Sequence, residues 1–273
     1  MVFAVRLATA AVAASTVLAA CGSGGSGEPD SAAPHSSATG PVHRSPSPPT
    51  TAPTSSAPGP VEAGADCLRP ADSARAVRFG TDGRLGGYLL GSGDRYVVLA
   101  HQSLGDSCQL LPLAQGLAAA GYVALAFDFP GVDSSARARS NRLLALSVLD
   151  AVRHCRASGA TSVSLVGASM GGYAVLNAAL LAKPPVDAVV SLSAPAIWDD
   201  PDGKPLDIST LDTPTQLWAA RYDTSFAEAA HLLSRERPSA ELVIEPGVAH
   251  GVQLVPDALR RVVAFLDAHT PAP

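Results

Sequence analysis

Gly167-Ala168-Ser169-Met170-Gly171 is the segment of this chain whose residue types and spacing can do covalent chemistry. A β-branched apolar run, Ser162 to Val166, precedes it, and a helical stretch follows as far as Pro184. The turn itself is expected over residues 167–172. A serine on a sharp strand-to-helix turn holds its hydroxyl clear of the sheet. The helix start aims unpaired N–H groups and a positive dipole end at developing negative charge. Gly167 and Gly171 suit a chain that doubles back so closely that a Cβ would clash, and Gly172 adds room. Glycine-rich turns that cradle phosphate have a similar look, but they call for more glycines or a lysine. This turn has neither. The chemistry expected is attack of the Ser169 hydroxyl on a carbonyl carbon.

A serine hydroxyl needs a base to take its proton and an acid to orient that base. With a serine on this kind of turn, the acid and then the base follow in chain order. Three imidazoles lie downstream, His231, His250 and His269. His231 falls mid-helix and His269 just past the closing helix, both surface positions. His250 lies in Gly247-Val248-Ala249-His250-Gly251, after the last strand, at the carboxyl edge where an α/β sheet gathers its functional side chains. It is the expected base. Asp223, in Arg221-Tyr222-Asp223 after the preceding strand, is the expected acid, and a loop aspartate there can also cap a helix. Asp199 and Asp200 are its rivals. The backbone N–H of Met170 and one from the loop His101-Gln102-Ser103-Leu104-Gly105, on Gln102 or Ser103, are expected to hold the oxyanion. His101 and Asp128 read as braces for their loops.

Elements that position these residues are legible from Cys67 onward. Short β-branched runs alternate with helical stretches, the pattern of an α/β sheet. Antiparallel strands are expected at Val77–Phe79 and Leu85–Leu90. Further strands fall at Tyr96–Ala100, Tyr122–Phe127, Ser162–Val166, Ala188–Leu192, Thr215–Ala219 and Ala240–Ile244. Helices are expected at about Gln109–Ala120, Asn141–Ala157, Ser225–Ser234 and Pro256–Ala268, besides the one after Ser169. No period of 20–50 residues recurs, so a repeat architecture is excluded.

Together these segments resemble the α/β-hydrolase superfamily over about Val77 to Leu266, and within it small bacterial esterases and dienelactone-hydrolase-like members. The residues that carry the resemblance are the turn at Ser169, Phe127-Asp128-Phe129-Pro130-Gly131, Arg221-Tyr222-Asp223, and His250-Gly251. It implies a mostly parallel eight-stranded sheet with helices on both faces and a Ser–His–Asp triad that works without cofactor or metal. One departure stands out. Many relatives carry His-Gly after the third strand, where this chain has His101-Gln102. Only about twenty residues separate the Ala188–Leu192 strand from Thr215, where larger relatives insert a helical cap. A minimal cap and an open site for small or medium acyl esters are therefore expected. Peptidase, thioesterase or acyltransferase chemistry would use the same triad, and a surface binding lipoprotein could keep the fold without turnover.

Ahead of this domain, residues 1–20 carry one basic residue, Arg6, and then an apolar run too short to span a membrane comfortably. Leu18-Ala19-Ala20-Cys21 resembles the lipobox of bacterial lipoproteins, in which the cysteine is diacylated and becomes the new N-terminus. Residues 22–61 are rich in Gly, Ser, Pro, Thr and Ala and too poor in large apolar residues to offset the entropy of ordering. As a flexible coil they span about 35 Å. The expected organisation is a signal peptide over 1–21 ending at lipidated Cys21, a linker over 22–61, and a hydrolase domain over 62–273. The protein would be a monomer lipid-anchored at the outer face of the cell membrane. Three other cysteines remain, and an exported protein permits one disulfide among them. Cys67 and Cys108 are the favoured pair. None of the cysteines has metal-site spacing. The net charge of −5, with Lys183 and Lys204 the only lysines, leaves no basic patch for nucleic acid.

Overall fold

The computed structural model describes residues 67–131 and 141–271. The expected signal peptide, lipidated Cys21 and linker lie outside the described residues. Eight strands form one sheet in the order β1-β2-β4-β3-β5-β6-β7-β8. They are β1 (Arg75–Phe79), β2 (Leu85–Leu90), β3 (Arg95–Ala100), β4 (Val123–Phe127), β5 (Ser162–Ala168), β6 (Val189–Leu192), β7 (Thr215–Ala220) and β8 (Glu241–Glu245). β2 runs antiparallel to both β1 and β4, and the remaining pairs are parallel. This is the expected fold class. Parallel neighbours need crossover connections, and helices supply all but the one between β6 and β7. The helices are α1 (Leu111–Ala119), α2 (Asn141–Ala157), α3 (Met170–Leu181), α4 (Thr224–Glu236) and α5 (Val255–His269), the last of them after β8.

Strand side chains alternate between two apolar layers. Val98, Leu125 and Leu165 pack with α2 and α3 through Leu144, Val148, Ala174 and Ala178. On the other face, Val97, Leu99 and Val190 meet α1 and α5 through Leu113, Leu117, Val262 and Leu266. With both faces covered, β3 to β6 are buried along their whole length, which is why Tyr96–Ala100 reads as a continuous apolar run. The strand order reverses at β3, which has β4 on one side and β5 on the other. The crevice beyond the carboxyl ends of such strands is where open α/β sheets bind ligands. At the opposite end of β3, the sheet is clamped to the chain's last helix. Arg95 lies over the Tyr122 ring at 4.2 Å and pairs with Asp267 at 3.1 Å, while the Tyr122 hydroxyl donates to the same carboxylate at 2.7 Å. No described helix is long and apolar enough to cross a membrane.

Several bounds differ from the sequence reading for local reasons. The helix expected from Gln109 begins only at Leu111, because Asp106 first turns the chain into a 3-10 stretch, Ser107–Leu110, by accepting from the Cys108 N–H at 2.9 Å. His269 is the last residue of α5 and not beyond it. Its Nδ1 bonds the Phe265 carbonyl at 2.8 Å. Residues 193–214 contain no helix, in keeping with a minimal cap.

Cys67 and Cys108 are joined in a disulfide, with Cα atoms 5.7 Å apart. The pair lies 41 residues apart in sequence, and closing a loop of that size is worth roughly 4 kcal/mol through restriction of the unfolded chain. Replacing both cysteines by alanine is therefore expected to lower the melting temperature by about 10 °C, at 2–4 °C per kcal/mol for a domain of this size. A thermal melt by circular dichroism checks this, and an unchanged melting temperature would show that the bridge is stabilising nothing. Cys155 is fully buried, and burial pushes its thiol up to about 12, so it stays an inert core residue.

Candidate active site

Ser169 alone makes the turn. β5 continues through Ala168 and α3 begins at Met170, so the expected six-residue turn shrinks to one residue. Its backbone sits at φ 50° and ψ −115°, a conformation that costs a non-glycine residue of order 1–3 kcal/mol. Neighbouring bonds hold it there. The Ser169 N–H donates to the Leu192 carbonyl at 2.8 Å, and the Ser169 carbonyl accepts from Tyr173 at 3.0 Å. A Cβ on Gly167 would fall on the Gly171 carbonyl, and one on Gly171 would fall on the Ala100 and His101 carbonyls. The first turn of α3 thus presses against both β5 and the end of β3, and only glycine permits that approach.

Asp223 and His250 meet across the loops after β7 and β8. His250 Nδ1 lies 2.7 Å from Asp223 Oδ2, with the two side chains 29% and 15% exposed. Backbone bonds set this distance. Arg221 N–H donates to the Glu245 carbonyl at 2.8 Å and Tyr222 N–H to the Gly247 carbonyl at 2.9 Å, stitching the two loops together. The His250 N–H donates to Gln253 Oε1 at 3.0 Å, and the imidazole leans on the Phe226 ring, centroids 4.2 Å apart. Asp223 occupies the N-cap position of α4, yet its side chain makes no capping bond. Of the two bonds expected of that carboxylate, the one to His250 is present and the cap on α4 is not. A carboxylate on Nδ1 keeps the proton there and leaves the lone pair on Nε2.

The His250 loop lies against the serine turn. A Cβ on Gly251 would sit 3.6 Å from that of Ala168, so the residues flanking His250 and Ser169 are packed together. Among the described residues no hydrogen bond joins Ser169 Oγ to His250. Such bonds are often long until substrate arrives. Met170 N–H, in the first turn of α3, has no acceptor within its helix. Gln102 and Ser103 follow the end of β3, whose Ala100 and His101 carbonyls Gly171 touches.

Two braces shape the β3 loop, both read correctly from sequence. His101 is fully buried. Its Nε2 accepts from the Phe129 N–H at 3.1 Å, so its Nδ1 carries the proton and donates to the Gln102 carbonyl at 2.8 Å. Asp128 accepts from the Ser107 N–H at 2.7 Å. The rival acids do other work. Asp200 organises a turn by accepting from the N–H groups of Asp202 and Lys204, and Asp199 is exposed. His231 is exposed on α4. Among the described residues, no group of three or more His, Cys, Asp or Glu side chains is placed to hold a metal ion.

Sequence reasoning missed the Gln102 side chain. Its Oε1 accepts from the Val252 N–H at 3.1 Å, tying the loop that would hold the oxyanion to the loop that carries His250. The available signal was the departure itself, a long amide where many α/β-hydrolases have glycine. Gln102→Ala is expected to lower kcat for a short ester about tenfold with KM changed less. The backbone N–H groups remain, while losing one strut costs roughly 1 kcal/mol of positioning. Steady-state kinetics check it, and an unchanged kcat would reduce Gln102 to a surface bond.

A family model for the alpha/beta hydrolase fold matches residues 96–208. No curated protein matches the sequence. Among solved structures, an esterase of Pyrococcus furiosus is 18% identical, with a TM-score of 0.61 over 74% of this chain and 94% of that one. A dienelactone hydrolase of Anabaena variabilis is 25% identical, with a TM-score of 0.58 over 72% and 95%. Est1E of Butyrivibrio proteoclasticus is 19% identical, with a TM-score of 0.57 over 71% and 99%. The chain has the α/β-hydrolase fold.

Proposed function

We propose that this protein is a serine hydrolase that cleaves carboxylic esters of small or medium acyl groups, with Ser169 as nucleophile, His250 as base and Asp223 as its orienting acid. The observation that carries the reading is the 2.7 Å Asp223–His250 pair, held on stitched loops against the strained turn that displays Ser169. Solved esterases and a dienelactone hydrolase of the same fold support an ester as the substrate.

In the reaction, His250 Nε2 takes the proton of Ser169 as Oγ attacks the ester carbonyl. Asp223 keeps the imidazole in the required tautomer and stabilises the imidazolium that forms. The developing oxyanion is held by the N–H of Met170 and by one from Gln102 or Ser103, each such donor worth about 3 kcal/mol in the transition state. The protonated His250 hands its proton to the leaving alcohol oxygen, leaving an acyl group on Ser169. Water then attacks the acyl carbon with His250 again as base, and the acid departs.

We place the enzyme outside the cytoplasm, anchored through lipid on Cys21. The Cys67–Cys108 disulfide supports export, because such bonds persist in oxidising compartments. The test of function is hydrolysis of p-nitrophenyl acetate and butyrate by the protein beside its Ser169→Ala variant, together with labelling by a fluorophosphonate probe. Turnover and labelling that both vanish in the variant support the reading. A folded protein that neither turns over nor labels would leave a binding protein on a hydrolase fold.

A further inference from the structure

A groove of about 730 Å³ runs beside α4. Pro195, Ala196 and Ile197, from the loop after β6, form one wall, and Phe226, Ala229 and Leu232 form the other. The α4 residues recur every third position and so share one helix face. Phe226 belongs to both the groove and the site, since its ring contacts His250 with centroids 4.2 Å apart. The groove therefore begins at the Phe226 ring, next to the imidazole, which does not itself line it. It ends at Arg235, nine residues further along the helix, a distance of about 13 Å or roughly eight to ten chain atoms.

Acyl transfer gives the two halves of an ester different neighbours. The carbonyl oxygen turns toward Met170 and the β3 loop, and no residue of that loop lines the groove. The leaving oxygen must receive its proton from His250 Nε2, so it sits at the imidazole. The Phe226 ring that packs on the imidazole is also the near wall of the groove. Resting on the triad reading above, we propose that the groove binds the alcohol half of the ester, and that the preferred substrates are esters of apolar alcohols. As the carbonyl C–O bond breaks, the proton on His250 passes to the alkoxide oxygen. The alcohol departs along α4 while the acyl group stays on Ser169.

Two ester series separate this from the alternatives, both assayed with the full chain. One holds the acyl group as acetate and lengthens the alcohol from ethyl to octyl. The other holds the alcohol as ethyl and lengthens the acid from acetate to octanoate. A fully buried methylene is worth about fourfold, and an open groove covers about half of it, so kcat/KM should rise about twofold per methylene along the alcohol series. The slope along the acid series should be shallower. Leu232→Trp and Ile197→Trp fill the groove from opposite walls. Each is expected to lower the octyl-to-ethyl ratio in the alcohol series about tenfold or more, leave ethyl acetate within about threefold, and leave the acid series unchanged. If one variant loses ethyl acetate turnover as well, the other decides. A ratio unchanged in both variants overturns the proposal, and so does a loss confined to the acid series. Absence of any Ser169-dependent hydrolysis of ethyl acetate by the unmodified protein is a different failure, that of the triad reading.

Discussion

Ser169→Ala is expected to lower kcat/KM for short p-nitrophenyl esters by about 10⁴-fold or more, with the fold intact. A residual rate over water remains when a triad serine is removed, because the oxyanion donors and binding still act. Covalent acylation itself is lost. Stability should barely move, since alanine at φ 50° bears the same backbone strain as serine. Ser169→Gly makes the sharper comparison. It is equally inactive, but glycine accepts that conformation freely, so the variant should gain about 1 kcal/mol of stability. Denaturant melts beside the ester assay read both effects. An active Ser169→Ala would remove the nucleophile assignment. A Ser169→Gly that melts no later than wild type would show that the turn stores no strain.

Asp223→Asn is expected to cost about 10⁴-fold in kcat, the loss seen when a triad aspartate becomes an amide and the imidazole takes the wrong tautomer. With the carboxylate gone, the amide N–H can donate to Nδ1, and the imidazole proton moves to Nε2. The lone pair no longer faces the serine. The change should hardly affect folding, because the Asp223 side chain makes no capping bond to α4, and loss of a negative charge at a helix start is worth only about 0.3–1 kcal/mol. A large kinetic loss with a small thermal shift is thus the signature of an orienting acid. Asp200→Asn serves as the contrast, since its carboxylate accepts from backbone N–H groups in its own turn. If Asp200→Asn caused the larger kinetic loss, the acid would have to be reassigned.

Much of this arrangement was readable from local pattern. β3 is a continuous apolar run from Tyr96 to Ala100 because both sheet faces are covered, and that burial writes itself into composition. The glycines around Ser169 advertise close approach, and the approach is what the fold shows. His250 and Asp223 stood out as candidates by their position after strands at the carboxyl edge, a consequence of α/β topology, and the fold brings them together. Element ends were less legible. β5 runs two residues further than its β-branched core, since Gly167 and Ala168 have little strand propensity but are held by the pairing with β6. α1 starts late because a side chain, Asp106, turns the chain first.

The sequence by itself determined which residue types stand at each loop, the alternation that makes the sheet, and the chain order of Ser169, Asp223 and His250. These depend on neighbours along the chain, so periodicity and spacing report them. The tertiary structure alone decided which loops touch. That Gln102 bonds Val252, 150 residues away, and that Phe226 both lies on His250 and lines a groove, are contacts between distant segments. Their geometry depends on strand order and on backbone bonds between the β7 and β8 loops. No local pattern records the distance between residues that only folding brings together.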